Sequence, residues 1–167
     1  MNIDSQLIDH SVTSIVFSNA LYGNLFISTF SLNQYTHLES VTIGNDCFES
    51  VQTFQIDGLN RLKTIIIGSS SFTQVKQEWF YRYHNHEERN SMLNIPWKSF
   101  HILNCESLES IQIDEYSFSD FGDFELRNLP QLQSITLGGG ALCGLFYDDS
   151  CSLIMRSNNE MIRNDRM

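Results

Sequence analysis

The stretch Leu38-Glu-Ser-Val-Thr-Ile-Gly44 returns 24 residues later as Leu62-Lys-Thr-Ile-Ile-Ile-Gly68. Two further copies read Leu108-Glu-Ser-Ile-Gln-Ile-Asp114 and Leu132-Gln-Ser-Ile-Thr-Leu-Gly138. The leading leucines are separated by 24, 46 and 24 residues, and 46 is 24 plus an insertion of 22. A weaker first copy, Val12-Thr-Ser-Ile-Val-Phe-Ser18, begins 26 residues before Leu38. Repeats of 20–50 residues are typical of stacked solenoid architectures.

A second element follows the first in each of the first four copies, as Phe-x-Leu or Phe-x-Ile. Both elements alternate apolar and polar residues, which is the pattern of a short strand with one buried face. A coil of this length cannot bury those side chains alone, so like residues are expected to stack between coils. One predicted row is Ile15, Val41, Ile65, Ile111 and Ile135, and the row facing it is Phe30, Phe54, Phe100 and Phe124. Gly44, Gly68 and Gly138 follow the first element, where a turn with positive φ is expected.

The predicted fold is a single repeat domain over residues 1–167, a β-rich solenoid of about five coils with short parallel strands on two sides. The coils are assigned to residues 12–37, 38–61, 62–107, 108–131 and 132–155, with an inserted loop at 73–99 and a degenerate tail at 156–167. In that tail, Asn164 and Arg166 stand where a sixth coil needs apolar residues. The tail is therefore an improvised cap, or the last coil presents an open apolar end, or the chain is a fragment of a longer array.

The apolar positions shared by the copies resemble those of the leucine-rich repeat, whose framework is L-x-x-L-x-L-x-x-N/C-x-L. The second copy reads Leu38-x-x-Val41-x-Ile43-x-x-Asp46-x-Phe48. The framework's Asn/Cys position is filled in turn by Ala20, Asp46, Ser70, Tyr116 and Gly140, so the usual asparagine ladder is missing. With Phe at the last position and a second strand-like segment, the chain is more similar to the BspA-like leucine-rich repeats. That resemblance implies β-structure on both sides, protein recognition or adhesion, and no catalytic residues.

The amino-acid composition and net charge exclude some classes of function. Hydrophobic residues make up 41% of the chain, which is enough for a core, and the formal net charge is −10. Such a charge disfavours nucleic acid and anionic membranes as partners. No apolar run is long enough to span a membrane, and the first residues lack the features of a signal peptide, so a cytoplasmic protein with reduced thiols is expected. Cys105 occupies a position that is expected to lie in the core, so it is expected to be buried. Cys47 is expected to be partly exposed.

The insertion concentrates aromatic residues. Trp, Tyr and Arg are enriched at binding hot spots, so we interpret this segment as a candidate partner-binding element. The alternative is that its aromatic side chains pin a long loop onto the solenoid. The candidate residues are Trp79, Phe80, Tyr81, Arg82, Tyr83 and Trp97.

The same insertion contains His84, His86, Glu87 and Glu88. Two imidazoles and a carboxylate could bind Zn²⁺, but the ligand set is incomplete, and a solvated polar tip is the favoured interpretation. No metal site and no cofactor are therefore predicted. A metal-binding protein or metal-dependent enzyme using this cluster is the alternative function.

The fourth copy holds an acidic run without Lys or Arg: Glu106, Glu109, Asp114, Glu115, Asp120, Asp123 and Glu125. Stacked on one coil, these residues are expected to form a negative patch, either a solvated face or a surface that attracts a basic partner. No catalytic motif is found. The predicted function is a non-enzymatic protein-interaction module that binds through a strand surface or the insertion. A surface-adhesin fragment is a third interpretation, and self-association through an open C-terminal coil is also considered.

Overall fold

The computed structural model describes residues 11–21, 27–74 and 98–142, and the backbone of residues 152–156. These residues form ten short strands and no helix. In chain order the strands are β1 (Ser14–Phe17), β2 (Thr29–Ser31), β3 (Ser40–Ile43), β4 (Thr53–Asp57), β5 (Thr64–Ile67), β6 (Lys98–Leu103), β7 (Ser110–Ile113), β8 (Phe121–Arg127), β9 (Ser134–Leu137) and β10 (Ser152–Arg156). The odd-numbered strands form sheet A, in the order β1-β3-β5-β7-β9, and the even-numbered strands form sheet B, in the order β2-β4-β6-β8-β10.

Every pair of neighbouring strands is parallel, so the chain is a parallel β-solenoid, as the repeat predicts. In sheet A the register aligns Ile15, Val41, Ile65, Ile111 and Ile135 in one row. In sheet B it aligns Phe30, Phe54, Phe100 and Phe124. The backbone of Leu153 continues the Phe row beside Phe124. Both predicted rows are confirmed.

Two stacks of phenyl rings fill the core between the sheets. The Phe54 ring lies between the rings of Phe30 and Phe100, at centroid distances of 5.2 and 4.9 Å and with nearly parallel planes. The second stack pairs Phe72 with Phe118 at 4.7 Å, and these rings meet Phe54 edge-on at 5.1 and 5.3 Å. Offset and edge-to-face contacts are the favourable arrangements of aromatic rings. Each ring is therefore shielded by rings of the neighbouring coils.

The turn after sheet A places two residues of each of the second to fifth coils in the left-handed region. In the second coil they are Asp46, with φ 54°, and Phe48, with φ 58°. The Asp46 N–H donates to the Ser69 carbonyl of the next coil at 3.0 Å, and the Phe48 N–H donates to the Leu21 carbonyl of the preceding coil at 3.1 Å. Such a conformation costs a bulky residue about 1–3 kcal/mol. Hydrogen bonds to both neighbouring coils and burial of the phenyl ring offset that cost.

The glycines after sheet A have a different role from the expected one. Gly44, Gly68 and Gly138 do not have positive φ, which occurs two positions later in each coil. Instead, a Cβ on Gly44 would lie 2.7 Å from the Asn19 nitrogen, and one on Gly68 would lie 2.8 Å from the Gly44 carbonyl carbon. These positions require glycine because the backbones of adjacent coils approach too closely for any side chain.

A buried ladder of short side chains takes over the role of the missing asparagine ladder. It lies one position later, at Cys47, Ser71 and Ser117. The Cys47 N–H donates to Ser71 Oγ at 3.1 Å, and Ser71 Oγ donates to the Gly44 carbonyl at 2.7 Å. One coil further on, the Ser71 N–H donates to Ser117 Oγ at 3.0 Å, and Ser117 Oγ donates to the Gly68 carbonyl at 2.6 Å. The hydroxyls thereby satisfy turn groups that burial would otherwise leave unpaired.

An amide ladder follows the turn after sheet B. The Asp57 N–H donates to Asn33 Oδ1 at 3.0 Å, and Asn104 Nδ2 donates to Asp57 Oδ1 at 2.8 Å. Asn128 Nδ2 in turn donates to Asn104 Oδ1 at 2.6 Å. Asn104 and Asn128 also have positive φ, at 52° and 56°, which asparagine tolerates better than most residues. Polar ladders therefore hold the coils together at both turns.

We predict that Phe54→Ala lowers the free energy of unfolding by about 3–5 kcal/mol, because it leaves a cavity between the rings on either side. Phe54 is 0% exposed. Urea titration followed by circular dichroism measures the change. The matched control is Gln55→Ala, since Gln55 points outward from the same strand and should change stability by less than about 0.5 kcal/mol. Equal stabilities of Phe54→Ala and wild type would contradict the stacked core.

Candidate functional site

The outward side chains of sheet A form a regular surface, which we call face A. None of them is ionisable. The first row is Ser14, Ser40, Thr64, Ser110 and Ser134, and the second is Val16, Thr42, Ile66, Gln112 and Thr136. Within the first row, Ser40 Oγ donates to Ser14 Oγ at 2.9 Å and Ser110 Oγ donates to Thr64 Oγ1 at 3.4 Å. Face A is thus made of short, neutral side chains, several of them already hydrogen-bonded to one another.

The outward face of sheet B is different because it carries charge. His101 Nε2 lies 3.0 Å from Asp123 Oδ2, and Arg127 Nε lies 3.3 Å from Glu125 Oε1. The chain as a whole has a formal net charge of −10, so the neutrality of face A is a local property. The centres of protein interfaces are depleted of charged residues, because charges must lose their water on binding. Of the two sheet faces, face A is therefore the better candidate for binding.

The dimensions of face A limit how it could bind. Five strands about 4.8 Å apart and four residues long give a rectangle of roughly 19 by 13 Å, or about 250 Å². A stable interface buries about 800 Å² on each partner. The strand face is about a third of that area, so residues that flank the strands must take part in any stable complex.

Charged side chains border face A where its strands begin. Lys63 Nζ, before β5, donates to Glu39 Oε2, before β3, at 2.9 Å, and both side chains are exposed. Lys63 lowers the pKa of Glu39, and Glu39 raises the pKa of Lys63, mainly through this hydrogen bond. An open groove of about 580 Å³ lies on the same side, lined by Lys63, Glu106, Ser107, Glu109, Pro130 and Gln131. Face A thus has a neutral centre and a charged border.

The described ends of the insertion meet at one buried carboxylate. Lys98 Nζ lies 2.8 Å from Asp120 Oδ2, and the two side chains are 1% and 0% exposed. The same oxygen accepts the backbone N–H of Gln74 at 3.1 Å. The Lys98 ammonium also lies 5.2 Å from the centre of the Phe121 ring. Asp120 therefore joins the residues on either side of the segment 75–97.

The coil pattern extends into the predicted insertion 73–99 from both sides. Thr73 is buried against Ser119, with 2.8 Å between the hydroxyl oxygens, and Ser99 pairs with Thr53 in sheet B. Deleting residues 75–96 would restore the 24-residue spacing and keep Lys98. Deleting residues 74–98 would instead leave the Asp120 carboxylate buried without its cation.

We predict that Asp120→Ala lowers the free energy of unfolding by about 3–5 kcal/mol, because it leaves the Lys98 ammonium buried and unpaired. The control is Asp123→Ala, which removes an exposed carboxylate from the same coil and should cost less than about 1 kcal/mol. Urea titration of both variants measures the difference. Similar stabilities for the two variants would show that the buried pair contributes little.

The binding residues predicted from the sequence lie outside the described residues: Trp79, Phe80, Tyr81, Arg82, Tyr83 and Trp97. The same is true of His84, His86, Glu87 and Glu88, the candidate metal ligands. Within residues 11–21, 27–74 and 98–142, no three His, Cys, Asp or Glu side chains are grouped so that they could bind a metal ion. The predicted binding roles of the insertion remain predictions.

The acidic residues of the fourth copy do not form the single patch that the sequence suggests. Asp120 is buried with Lys98, and Glu125 is paired with Arg127. Glu109 precedes β7 and Asp114 follows it, so these two lie at opposite ends of the strand. These residues are close in sequence, but the coil places them before and after β7, on the outward face of sheet B and in the interior.

Both described cysteines are buried free thiols, as predicted for Cys105 but not for Cys47, whose expected partial exposure is wrong. Cys47 lies inside the hydroxyl ladder, where Sγ donates to the Ser18 carbonyl at 3.1 Å. Burial raises the pKa of the Cys47 thiol, and it raises the pKa of Cys105 from 9.0 to about 11. A buried thiol with a raised pKa is a poor nucleophile.

The raised pKa of Cys105 predicts a pH dependence of stability. The folded protein retains the thiol proton more strongly than the unfolded chain does. The contribution of the protonated thiol to the free energy of unfolding is therefore complete below pH 9, and it is lost as the pH rises towards 11. We expect the stability difference between wild type and Cys105→Ala to shrink over that window in urea titrations. A difference that is constant with pH would contradict the assignment.

No protein-family model, curated protein or solved structure matches this chain. Among the described residues, no helix is long and apolar enough to cross a membrane. The resemblance to BspA-like leucine-rich repeats therefore stays a prediction from the spacing of the residues.

Proposed function

We propose that this protein is a non-enzymatic protein-interaction module that binds its partner through face A. The observation that carries the proposal is the neutrality of ten outward side chains in a chain with a formal net charge of −10. Neutral side chains lose little hydration energy when a partner covers them. The resemblance to BspA-like leucine-rich repeats, which implies protein recognition, supports the same function.

The chemistry of face A favours a partner with a similarly neutral surface at the centre of the contact. Ser40 Oγ already donates to Ser14 Oγ, so a partner that covers these hydroxyls leaves the Ser40 donor paired. The Lys63–Glu39 pair and the groove beside it would meet polar groups at the rim. The basic groups of a partner would pair with the carboxylates of Glu106 and Glu109, which line that groove.

We propose that the module is cytoplasmic, since thiols stay reduced in that compartment. The two described cysteines, Cys47 and Cys105, support this location because both are free and buried. The aromatic insertion is the alternative binding element of the same module. The His84, His86, Glu87 and Glu88 cluster is the alternative that would make the protein a metal binder.

We predict that Ile66→Glu, at the centre of face A, weakens partner binding by about tenfold or more, because the new carboxylate must be desolvated. The matched control, Gln55→Glu, places the same carboxylate on the outward face of sheet B. Quantitative mass spectrometry of proteins retained by each immobilised variant identifies partners that only Ile66→Glu loses. Calorimetry with each purified partner then gives the change in Kd.

Two further experiments distinguish binding through face A from binding through the insertion and from metal binding. A deletion of residues 75–96 that abolishes binding while Ile66→Glu preserves it would transfer the function from face A to the insertion. Stoichiometric metal in the purified protein, lost on His84→Ala/His86→Ala, would favour the metal-binding alternative. Partners retained equally by wild type and Ile66→Glu would contradict the proposal for face A.

A further inference from the structure

The two edges of sheet A leave the core rows partly uncovered. In β3, β5 and β7 every inward side chain is at most 2% exposed: Val41, Ile43, Ile65, Ile67, Ile111 and Ile113. The equivalent residues at the edges are more exposed. Ile15 and Phe17 of β1 and Ile135 of β9 are only partly buried, and Leu137 of β9 is 39% exposed. The apolar surface that each inner coil buries against its neighbours is thus incompletely covered at both edges.

The backbone of β9 directs hydrogen-bonding groups away from its neighbour. The Ser134 N–H donates to the Glu109 carbonyl, and the Gly138 N–H donates to the Ile113 carbonyl. Parallel strands bond alternate residues to opposite sides. The N–H and carbonyl groups of Ile135 and Leu137 therefore face away from β7, and within the described residues β7 is the only strand paired with β9.

The opposite edge has the complementary arrangement. The Thr13 and Phe17 carbonyls accept the N–H groups of Ser40 and Gly44 in the second coil. By the same alternation, the N–H and carbonyl groups of Ser14 and Val16 face away from β3. Val16 is also the most exposed large apolar side chain of the described residues, at 69%.

Within the described residues, neither edge strand has a charged residue, a proline or a bulge that would hinder strand pairing. Sheet edges are commonly protected by charged side chains, prolines or bulges. β1 reads Ser-Ile-Val-Phe and β9 reads Ser-Ile-Thr-Leu, without charge or proline, and both pair with their neighbours in unbroken register. These edges are therefore able to accept another parallel strand.

We infer that copies of this chain associate end to end, with β9 of one copy pairing in parallel with β1 of the next. The occupant is a second copy because the contact would repeat an interface that occurs four times within the chain. In the repeated register Ile135 lies beside the next copy's Ile15 and Leu137 lies beside its Phe17. The Val16 N–H then donates to the Ile135 carbonyl, and the Leu137 N–H donates to the Val16 carbonyl.

The contact is heterologous, because β9 and β1 are different surfaces. A heterologous contact that does not close into a ring produces rows of variable length. Such rows would bring several copies of face A side by side and multiply weak contacts with a repetitive partner. The inference does not depend on the function proposed for face A, which lies on the outward side chains of the strands.

Sedimentation velocity of the full chain, from micromolar to near-millimolar concentration, tests the inference. Wild type should show an average mass that rises continuously with concentration. Val16→Pro removes the outward N–H of β1 and should sediment as a monomer, since proline is tolerated on the solvent side of an edge strand. The matched control Val16→Thr keeps the N–H and should associate like wild type, as should Ile66→Glu on face A.

A mixing experiment distinguishes the end-to-end contact from a symmetric one. A Val16→Pro copy retains an intact β9 edge, so it should add to the β1 end of a wild-type row and stop growth there. A small fraction of Val16→Pro should therefore lower the average mass of wild type. Leu137→Lys, which places a charge on the other edge, should have the same effect from the opposite end and provides the test if Val16→Pro does not fold.

Several outcomes would overturn the inference. One is a wild-type protein that remains monomeric at every concentration. A second is a dimer of fixed mass, which indicates a symmetric contact. A third is association that neither Val16→Pro nor Leu137→Lys reduces.

Discussion

Each coil of this protein is stable only because the coils on either side cover it. The Phe54 ring is buried between the rings of Phe30 and Phe100, and neither sheet has a core without that stacking. Parallel, in-register strands are the arrangement that brings like residues of successive coils together. The turns follow from the same constraint, because Asp46 and Phe48 adopt left-handed conformations that direct N–H groups towards both neighbouring coils. The fold is thus a repeated interface between coils.

The outward side chains are free of that constraint, and there the two sheets differ. Face A is neutral, while sheet B carries pairs such as His101–Asp123 and Arg127–Glu125. Stacking requires only that outward residues suit a strand, so it does not explain why one face lacks charge. The binding role proposed for face A would account for it, since neutral short side chains lose little hydration energy when a partner covers them. The edge strands of sheet A, β1 and β9, also lack charged residues, so the apolar rows end there without charges that would hinder strand pairing.

The long insertion is compatible with the solenoid because the register continues on both sides of it. Thr73 is bonded to Ser119 as an ordinary coil residue, and β6 resumes pairing with β4 at Ser99. The Lys98–Asp120 pair lies at this junction, buried beneath the phenyl ring of Phe121. Removing either partner of a buried ion pair is costly, because it leaves an unpaired charge in the interior. Asp120 therefore contacts the residues on both sides of the segment 75–97, which its place in an acidic run did not indicate.

The sequence by itself determined the number of residues per coil, the parallel rows and the phenyl core, because period-two patterns repeated at fixed spacing have one economical way to bury their apolar faces. It did not determine which groups satisfy the turns, since the Ser71 and Ser117 ladder lies one position after the residues that fill the framework's Asn/Cys position. Only the tertiary structure showed that Gly44 and Gly68 are required by close coil contact, that Asp120 is buried with Lys98, and that the other acidic residues are dispersed. Those facts depend on distances between coils, and residues far apart in sequence become neighbours only when the coils stack.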